Sequence, residues 1–226
     1  MLEIIKTKDG SHSLLVPEMN ETYHSTHGAL TESQYVFIEK GLAYFHEKFT
    51  NQKTIHVLEA GFGTGLNALL TFLYATEHDL DVVYHSLETN PIDSGIVSQL
   101  NYHEQLAYPK AKETYEMLHQ AEWNKPVRIS GNFSLQKIKQ PLQEYESMAN
   151  QVDVVYYDAF APSRQPDMWQ PELYAKLYKL MKSNGIFVTY CAQGQFKRDL
   201  KATGFEVEKL PGPPGKAEMT RGEKVI

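Results

Sequence analysis

Apolar residues recur along this chain at two periods, and the alternation between those periods is the main structural signal. After Thr31, a favourable N-cap, Tyr35, Ile38, Leu42, Phe45 and Phe49 keep helical spacing up to a short β-rich run, Thr54 to Glu59 (TIHVLE). Leu66 to Ala75 returns to helical spacing, so the glycines in between fall on a strand-to-helix turn. Val82 to Glu88 predicts the next strand. A helix beginning near Pro91, another around Lys112 to Ala121, a short strand at Val127 to Ser130 and a helix capped by Ser134 are expected to follow. Val152 to Asp158 (VDVVYYD) is the clearest buried strand, and Leu173, Leu177 and Leu180 place a helix over Pro171 to Met181, stopped by Asn184-Gly185. Gly185 to Cys191 (GIFVTYC) predicts another buried strand, Gln195 to Ala202 a helix closed by Gly204, and Phe205 to Leu210 a last strand. This βαβαβαβαβ order predicts an α/β fold with a mostly parallel sheet, helices on both faces and right-handed crossovers. Ahead of it, Asp9-Gly10 followed by Ser13 to Val16 and Pro17 predicts a hairpin-like N-terminal extension over residues 1–30, with residues 31–226 as one domain.

Composition agrees with a well-cored globular chain: 226 residues, 42% hydrophobic, with no repeat or low-complexity segment. The longest apolar stretch, Leu66 to Ala75, is interrupted by Asn67 and Thr71 and falls far short of the ~20 residues that span a bilayer. Met1 to Val16 has neither the basic start nor the apolar core of a signal peptide, and Cys191 is alone, so a cytoplasmic protein without membrane contact is expected. The net charge of −6 is uneven. Residues 176–226 hold 10 Lys/Arg against 5 Asp/Glu, a local +5, while residues 1–175 hold 12 against 23. That quarter, with Lys197, Arg198 and Lys201, is either a surface for a phosphate backbone or a set of solvated helix faces.

The sharpest chemical signal is Glu59-Ala-Gly61-Phe62-Gly63-Thr-Gly65-Leu-Asn67 at the strand-to-helix turn, where glycines let a ligand lie against backbone N–H groups. A dinucleotide fingerprint needs glycine at 66, where this chain has Leu66. The E-x-G-x-G-x-G form instead resembles motif I of class I S-adenosylmethionine-dependent methyltransferases; a nicotinamide or flavin enzyme and an ordinary glycine-rich turn are the alternatives. Glu88 ends the second strand, placed to take both hydroxyls of a ribose or to be a solvated carboxylate, and Asp158 closes a strand at the sheet edge where ligands bind in such folds. His12, His24 and His27 lack carboxylate or Cys partners at ligand spacing, so no metal is expected. Cys191, at the end of a buried strand, reads as a small core hydrophobe rather than a nucleophile.

Further pieces extend the likeness over nearly the whole chain: Tyr23-His24-Ser25 with Gly28-Ala29 and Glu32, Tyr35-Val36-Phe37, Asp158-Ala-Phe160-Ala-Pro162, Pro166-Asp-Met-Trp169, and Gly215-Lys216 with Glu218-Met219. With the glycine segment they resemble the tRNA wobble-uridine aminomethyl methyltransferases, half of a bifunctional enzyme in some bacteria and a separate enzyme in others. Ala217 departs from the basic residue expected in that family. The resemblance implies a class I methyltransferase fold, S-adenosylmethionine as cofactor, and methyl transfer to the exocyclic amine of 5-aminomethyl(-2-thio)uridine in the tRNA anticodon loop. It implies cofactor contacts from Glu59, Gly61, Phe62, Gly63, Gly65, Asn67, Glu88 and Asp158, with Asp158 orienting the amine and taking its proton. Trp169, with neighbouring Tyr174, is a candidate for stacking on a flipped-out base, core packing being the alternative. Lys197, Arg198, Lys201 and Lys216 are candidate tRNA contacts. With nothing after Ile226 and no second glycine fingerprint, a form without the fused flavin oxidase domain is expected, and there is no signal for self-association. A methyltransferase of small molecules or protein, and a nicotinamide-dependent reductase, are the competing readings.

Overall fold

The computed structural model describes residues 1–147 and 149–225. Three short strands, β1 (Glu3–Lys6), β2 (His12–Val16) and β3 (Glu21–Thr22), form an antiparallel sheet turned at Asp9-Gly10, as the turn dipeptide predicts. A helical run follows, made of α1 (Ala29–Ser33), a wider π-type stretch (Gln34–Ala43) and α2 (Tyr44–Lys48). It starts after Gly28 rather than at Thr31. The Thr31 hydroxyl donates instead to Asp9 Oδ2 at 2.8 Å, which ties the helix to the hairpin turn. A Cβ on Gly41 would come within 2.9 Å of Val188 Cγ2, so glycine there lets the run lie directly on the main sheet.

The main sheet contains β4 (Thr54–Ala60), β5 (Asp81–Leu87), β6 (Pro126–Ser130), β7 (Phe133–Ile138), β8 (Val152–Tyr157), β9 (Met181–Thr189), β10 (Phe205–Pro211) and β11 (Glu218–Lys224). Between them lie α3 (Leu66–Glu77), α4 (Ser94–Val97), α5 (Ala111–Gln120), α6 (Pro171–Leu180) and α7 (Gly194–Thr203). The strand order is β10-β11-β9-β8-β4-β5-β7-β6. Strands β4, β5, β7, β8 and β9 run parallel, while β6 and β11 are antiparallel to their neighbours. Both faces are covered, and β8 shows how: Tyr156 packs with Phe37 and Tyr84 on one side, while Tyr157 packs with Trp169 and Phe187 on the other. Among the described residues no helix is long and apolar enough to cross a membrane.

The structure departs from the sequence expectation at several elements. Helix α6 ends at Leu180 and β9 begins at Met181, so Asn184-Gly185 falls inside the strand rather than stopping the helix. The helix expected after Ser134 is strand β7, in which Phe133, Leu135 and Lys137 point inward at period two and pair in parallel with β5. Strand β11 is largely polar, EMTRGEK, and was not expected. It nevertheless sits between β9 and β10 with Met219 and Thr220 fully buried, the Thr220 hydroxyl donating to the Cys191 carbonyl at 2.7 Å. The sheet therefore winds outward from β4 through β5 to β7, returns to β8 and proceeds to β9. Its order reverses between β4 and β8, and a cleft opens at their carboxyl ends, the place where open α/β sheets bind ligands.

Candidate functional site

Strand β4 ends at Ala60 and β8 at Tyr157, so Gly61 and Asp158 emerge side by side. Gly61 (φ 102°) passes so close that a Cβ there would lie 2.9 Å from the Asp158 carbonyl. The turn is stitched to β5 by the Gly61 and Phe62 N–H groups, both donating to the Leu87 carbonyl. Gly63 (φ 47°) then turns its N–H to Glu88 Oε2 at 3.0 Å, and Glu88 Oε1 accepts from Asn90 N–H at 2.8 Å. Asn67, in the first turn of α3, donates its Nδ2 to Asp158 Oδ2 at 2.8 Å. These residues line a cavity of about 720 Å³.

Further lining comes from the N-terminal residues 20–27, whose Tyr23-His24-Ser25 belongs to the family resemblance but to which the sequence assigns no place in the site. His24 Nε2 meets Thr64 Oγ1 at 2.8 Å, fixing this segment to the glycine turn. A Cβ on Gly63 would come 3.2 Å from the Tyr23 ring, and Tyr23 meets Phe160 edge-on at 5.2 Å. Burial, and after it the Glu88 carboxylate, push the Tyr23 phenol up to about 12, so it stays neutral. Deeper in, Lys216, carried by the β10–β11 loop, pairs with buried Glu32 from α1 and lies 3.8 Å from the Tyr190 ring centroid. Glu32 Oε2 also accepts from Ser25 N–H at 2.8 Å. Asp158 shares the cavity with this pair; burial, and next Glu32, push its carboxyl up to about 7, against the Asn67 hydrogen bond and Lys216. Glu32 and Tyr23 carry a sequence signal only as parts of the segments that resemble the family, since their meeting with Asp158 and Glu88 depends on long-range folding.

Several expected contacts are corrected. Trp169 does not face the cavity as a stacking platform. It is 8% exposed, its Nε1 donates to the Phe160 carbonyl at 2.7 Å, and its ring packs against Tyr157 and Phe196. Tyr174 is fully buried beside it. The indole ring and its N–H are thus engaged in the core, and Tyr23, Phe160 and Tyr190 are among the aromatic residues that line the cavity. Glu59 lies beneath the cavity floor with no exposure, its Oε2 accepting from the Ser86 hydroxyl at 2.6 Å. Phe62 is part of the cavity lining, and its ring meets His119 and Trp123 edge-on. Gly65 is needed for packing: a Cβ there would lie 2.7 Å from His119 Nε2. Lys197, Arg198 and Lys201 sit on α7, outside the cavity lining; Lys197 is paired with Glu218 at 3.2 Å.

Known proteins resemble this chain over most of its length. The family described as S-adenosyl-L-methionine-dependent methyltransferase matches over residues 101–225. The tRNA 5-methylaminomethyl-2-thiouridine biosynthesis bifunctional protein MnmC of Hydrogenovibrio crunogenus is 32% identical, over 90% of this chain and 31% of that protein. The protein of the same name from Idiomarina loihiensis is 31% identical, over 90% of this chain and 35% of its own length. The chain thus spans about a third of the length of the curated relatives it matches. The crystal structure of MNMC2 from Aquifex aeolicus superposes with a TM-score of 0.81 at 24% identity, covering 98% of this chain and 70% of that one. Spermidine synthase from Thermotoga maritima gives 0.61 at 14% identity, covering 100% and 69%. These structures share the fold described above.

Proposed function

Because the chain belongs to the S-adenosyl-L-methionine-dependent methyltransferase family, we propose that its cavity carries methyl transfer to the exocyclic amine of 5-aminomethyl(-2-thio)uridine, presented by the anticodon loop of tRNA. The observation that carries this reading is the Asp158 carboxylate, held by Asn67 in a cavity shared with the glycine turn and Glu88. The two relatives named above, both tRNA 5-methylaminomethyl-2-thiouridine biosynthesis bifunctional proteins, support the choice of acceptor.

The residues present fit the cofactor. Gly61 and Gly63 keep side chains out of a cradle that a Cβ at either position would crowd, and Glu88 offers a carboxylate suited to a pair of ribose hydroxyls. Lys216 is the one Lys or Arg among the described lining residues and it is paired with Glu32, which suits a ligand without pyrophosphate. Bound there, S-adenosylmethionine would supply a methyl made electrophilic by its sulfonium, with a neutral thioether as the leaving group. Asp158 orients the amine by accepting its N–H and takes the proton that an ammonium must lose before its lone pair can attack. A carboxyl raised to about 7 by burial is poised for that transfer near neutral pH. Glu21, Glu32, Glu88 and Asp167, all in the lining, favour a cationic aminomethyl group on entry. Tyr23 and Phe160 offer the base an aromatic surface, and residues 1–30 serve as an extension that completes the wall.

Incubating the chain with S-adenosylmethionine and tRNA bearing the aminomethyl nucleoside, then digesting to nucleosides for mass spectrometry, is expected to show the gain of one methyl at the wobble position. A chain that binds the cofactor yet leaves that nucleoside unchanged would remove the substrate assignment.

A further inference from the structure

Beneath the cavity floor, Glu59 Oε1, Asn67 Oδ1 and the Tyr84 hydroxyl are buried side-chain atoms without a hydrogen-bond partner. Their neighbours are satisfied in one direction. The Ser86 hydroxyl donates to Glu59 Oε2 at 2.6 Å, and Asn67 Nδ2 donates to Asp158 Oδ2 at 2.8 Å. With its nitrogen committed to Asp158, Asn67 turns a carbonyl oxygen inward that needs a donor. An ionised Glu59 has no proton to give, whereas a neutral one has. The groups facing Glu59 are Tyr84 and Ser86 from β5, Asn67 from α3, Tyr156 from β8 and Asp158 just past its end, and no cation is among them. Burial pushes the Glu59 carboxyl up to about 8, and the Asp158 charge adds to the rise, opposed by the Ser86 hydroxyl that donates to it and by the polar groups of Asn67 and Tyr84 nearby.

We propose that Glu59 is a positioning residue: as a neutral acid it donates a hydrogen bond to Asn67 Oδ1, which locks the Asn67 amide with its nitrogen toward Asp158 and so aims the Asp158 carboxylate into the cavity. The chain of donors then runs one way, from Ser86 and Glu59 through Asn67 to Asp158. Ionising Glu59 sets two acceptors against each other, the Asn67 amide turns over, and Asp158 loses its donor. This inference rests on the reading of Asp158 as the group that meets the amine, while the protonation state of Glu59 can be read without any substrate.

Isotope-edited infrared spectroscopy of the ligand-free chain, carrying carboxyl-labelled glutamate, is expected to show a protonated carboxyl band at pH 7. That band disappears in Glu59→Gln and titrates away in the wild type near pH 8. In methylation of the aminomethyl-bearing tRNA, Glu59→Gln supplies the same donor from an amide that does not ionise, so it retains turnover and extends it to higher pH. Glu59→Leu lowers kcat about tenfold or more while KM for tRNA changes less. Absence of the infrared band overturns the inference whatever the activity shows, and so does an equal loss of turnover in the Gln and Leu variants. A wild-type chain inactive on this tRNA overturns the substrate assignment instead, and the infrared band still decides the state of Glu59.

Discussion

At the scale of single residues, the strongest distinction lies between Asp158 and Cys191, both placed just past a strand end. Methylation of an amine needs a proton acceptor and no covalent adduct, whereas carbon methylation of a uridine needs a thiolate to add to the ring first. Cys191 is 4% exposed and burial raises its thiol, so it is poorly suited to that task. Asp158→Asn is expected to lower single-turnover methylation by about 10² or more, and Cys191→Ala to keep it within several-fold. An inactive Cys191→Ala that folds and binds cofactor would replace the amine mechanism. The cofactor cradle is tested at Glu88 and Gly63. Glu88→Ala removes the carboxylate and should cost about 1.5 to 3 kcal/mol of S-adenosylhomocysteine affinity by calorimetry. Gly63→Val has to place a β-branched residue at φ 47° with the Tyr23 ring 3.2 Å away, and it should weaken the same affinity. Unchanged affinity in both folded variants would move the cofactor elsewhere.

At the scale of elements, helix α7 offers a direct test of the basic C-terminal quarter. Its charge count overstates its reach, because Lys182, Lys197, Lys209, Lys216 and Arg221 each pair with a carboxylate. Arg198 and Lys201 remain on the exposed side of α7. Replacing both by Glu should weaken tRNA binding and reduce the salt slope by about two while sparing cofactor affinity, since each phosphate contact contributes about one unit. An unchanged slope identifies α7 as a solvated face. Elements buried on both sides of the sheet were legible because they need continuous apolar runs: VDVVYY in β8 and GIFVT in β9 are of this kind. Strand β11 was not, because its polar residues are satisfied only by distant partners, Thr220 by the Cys191 carbonyl and Arg221 by Glu208. In β7, the pattern FSLQKI carries a serine that also suits a helix cap, and pairing with β5 decided between the two. The site was legible where it follows strand ends in sequence, at the glycine turn, Glu88 and Asp158. It was not where it depends on residues 20–27 crossing over it, or on the core claiming Trp169.

At the scale of the whole molecule, the topology that creates the cleft also sets how stability responds to pH, because it buries ionisable groups around the reversal between β4 and β8. His24 and His119 bracket the glycine turn through Thr64, and burial lowers each to about 4. A histidine depressed in the fold contributes stability that is complete above its unfolded value, near 6.5, and is lost as pH falls toward 4. Glu59 and Asp158, raised to about 8 and about 7 chiefly by burial, act in the opposite sense. Their contribution is complete below the unfolded carboxyl values, near 4, and is lost as pH rises through the folded ones. From about pH 4.5 to 6.5 two histidines and two carboxyls therefore offset each other, each with a slope of about 1.4 kcal/mol per pH unit. Above 6.5 the histidine contribution has ended, including the smaller displacements of His46, His56 and His85. The carboxyls alone remain, so the ligand-free chain should lose stability between pH 6.5 and 8. Glu59→Gln abolishes one of the two descending slopes. Urea unfolding at pH 5, 6.5 and 8 should then show the difference between variant and wild type growing in the variant's favour as pH rises, most of it before pH 8. Parallel curves across that range would mean that Glu59 ionises in the fold as it does in the unfolded chain, and that the layer beneath Asp158 carries a charge rather than a proton.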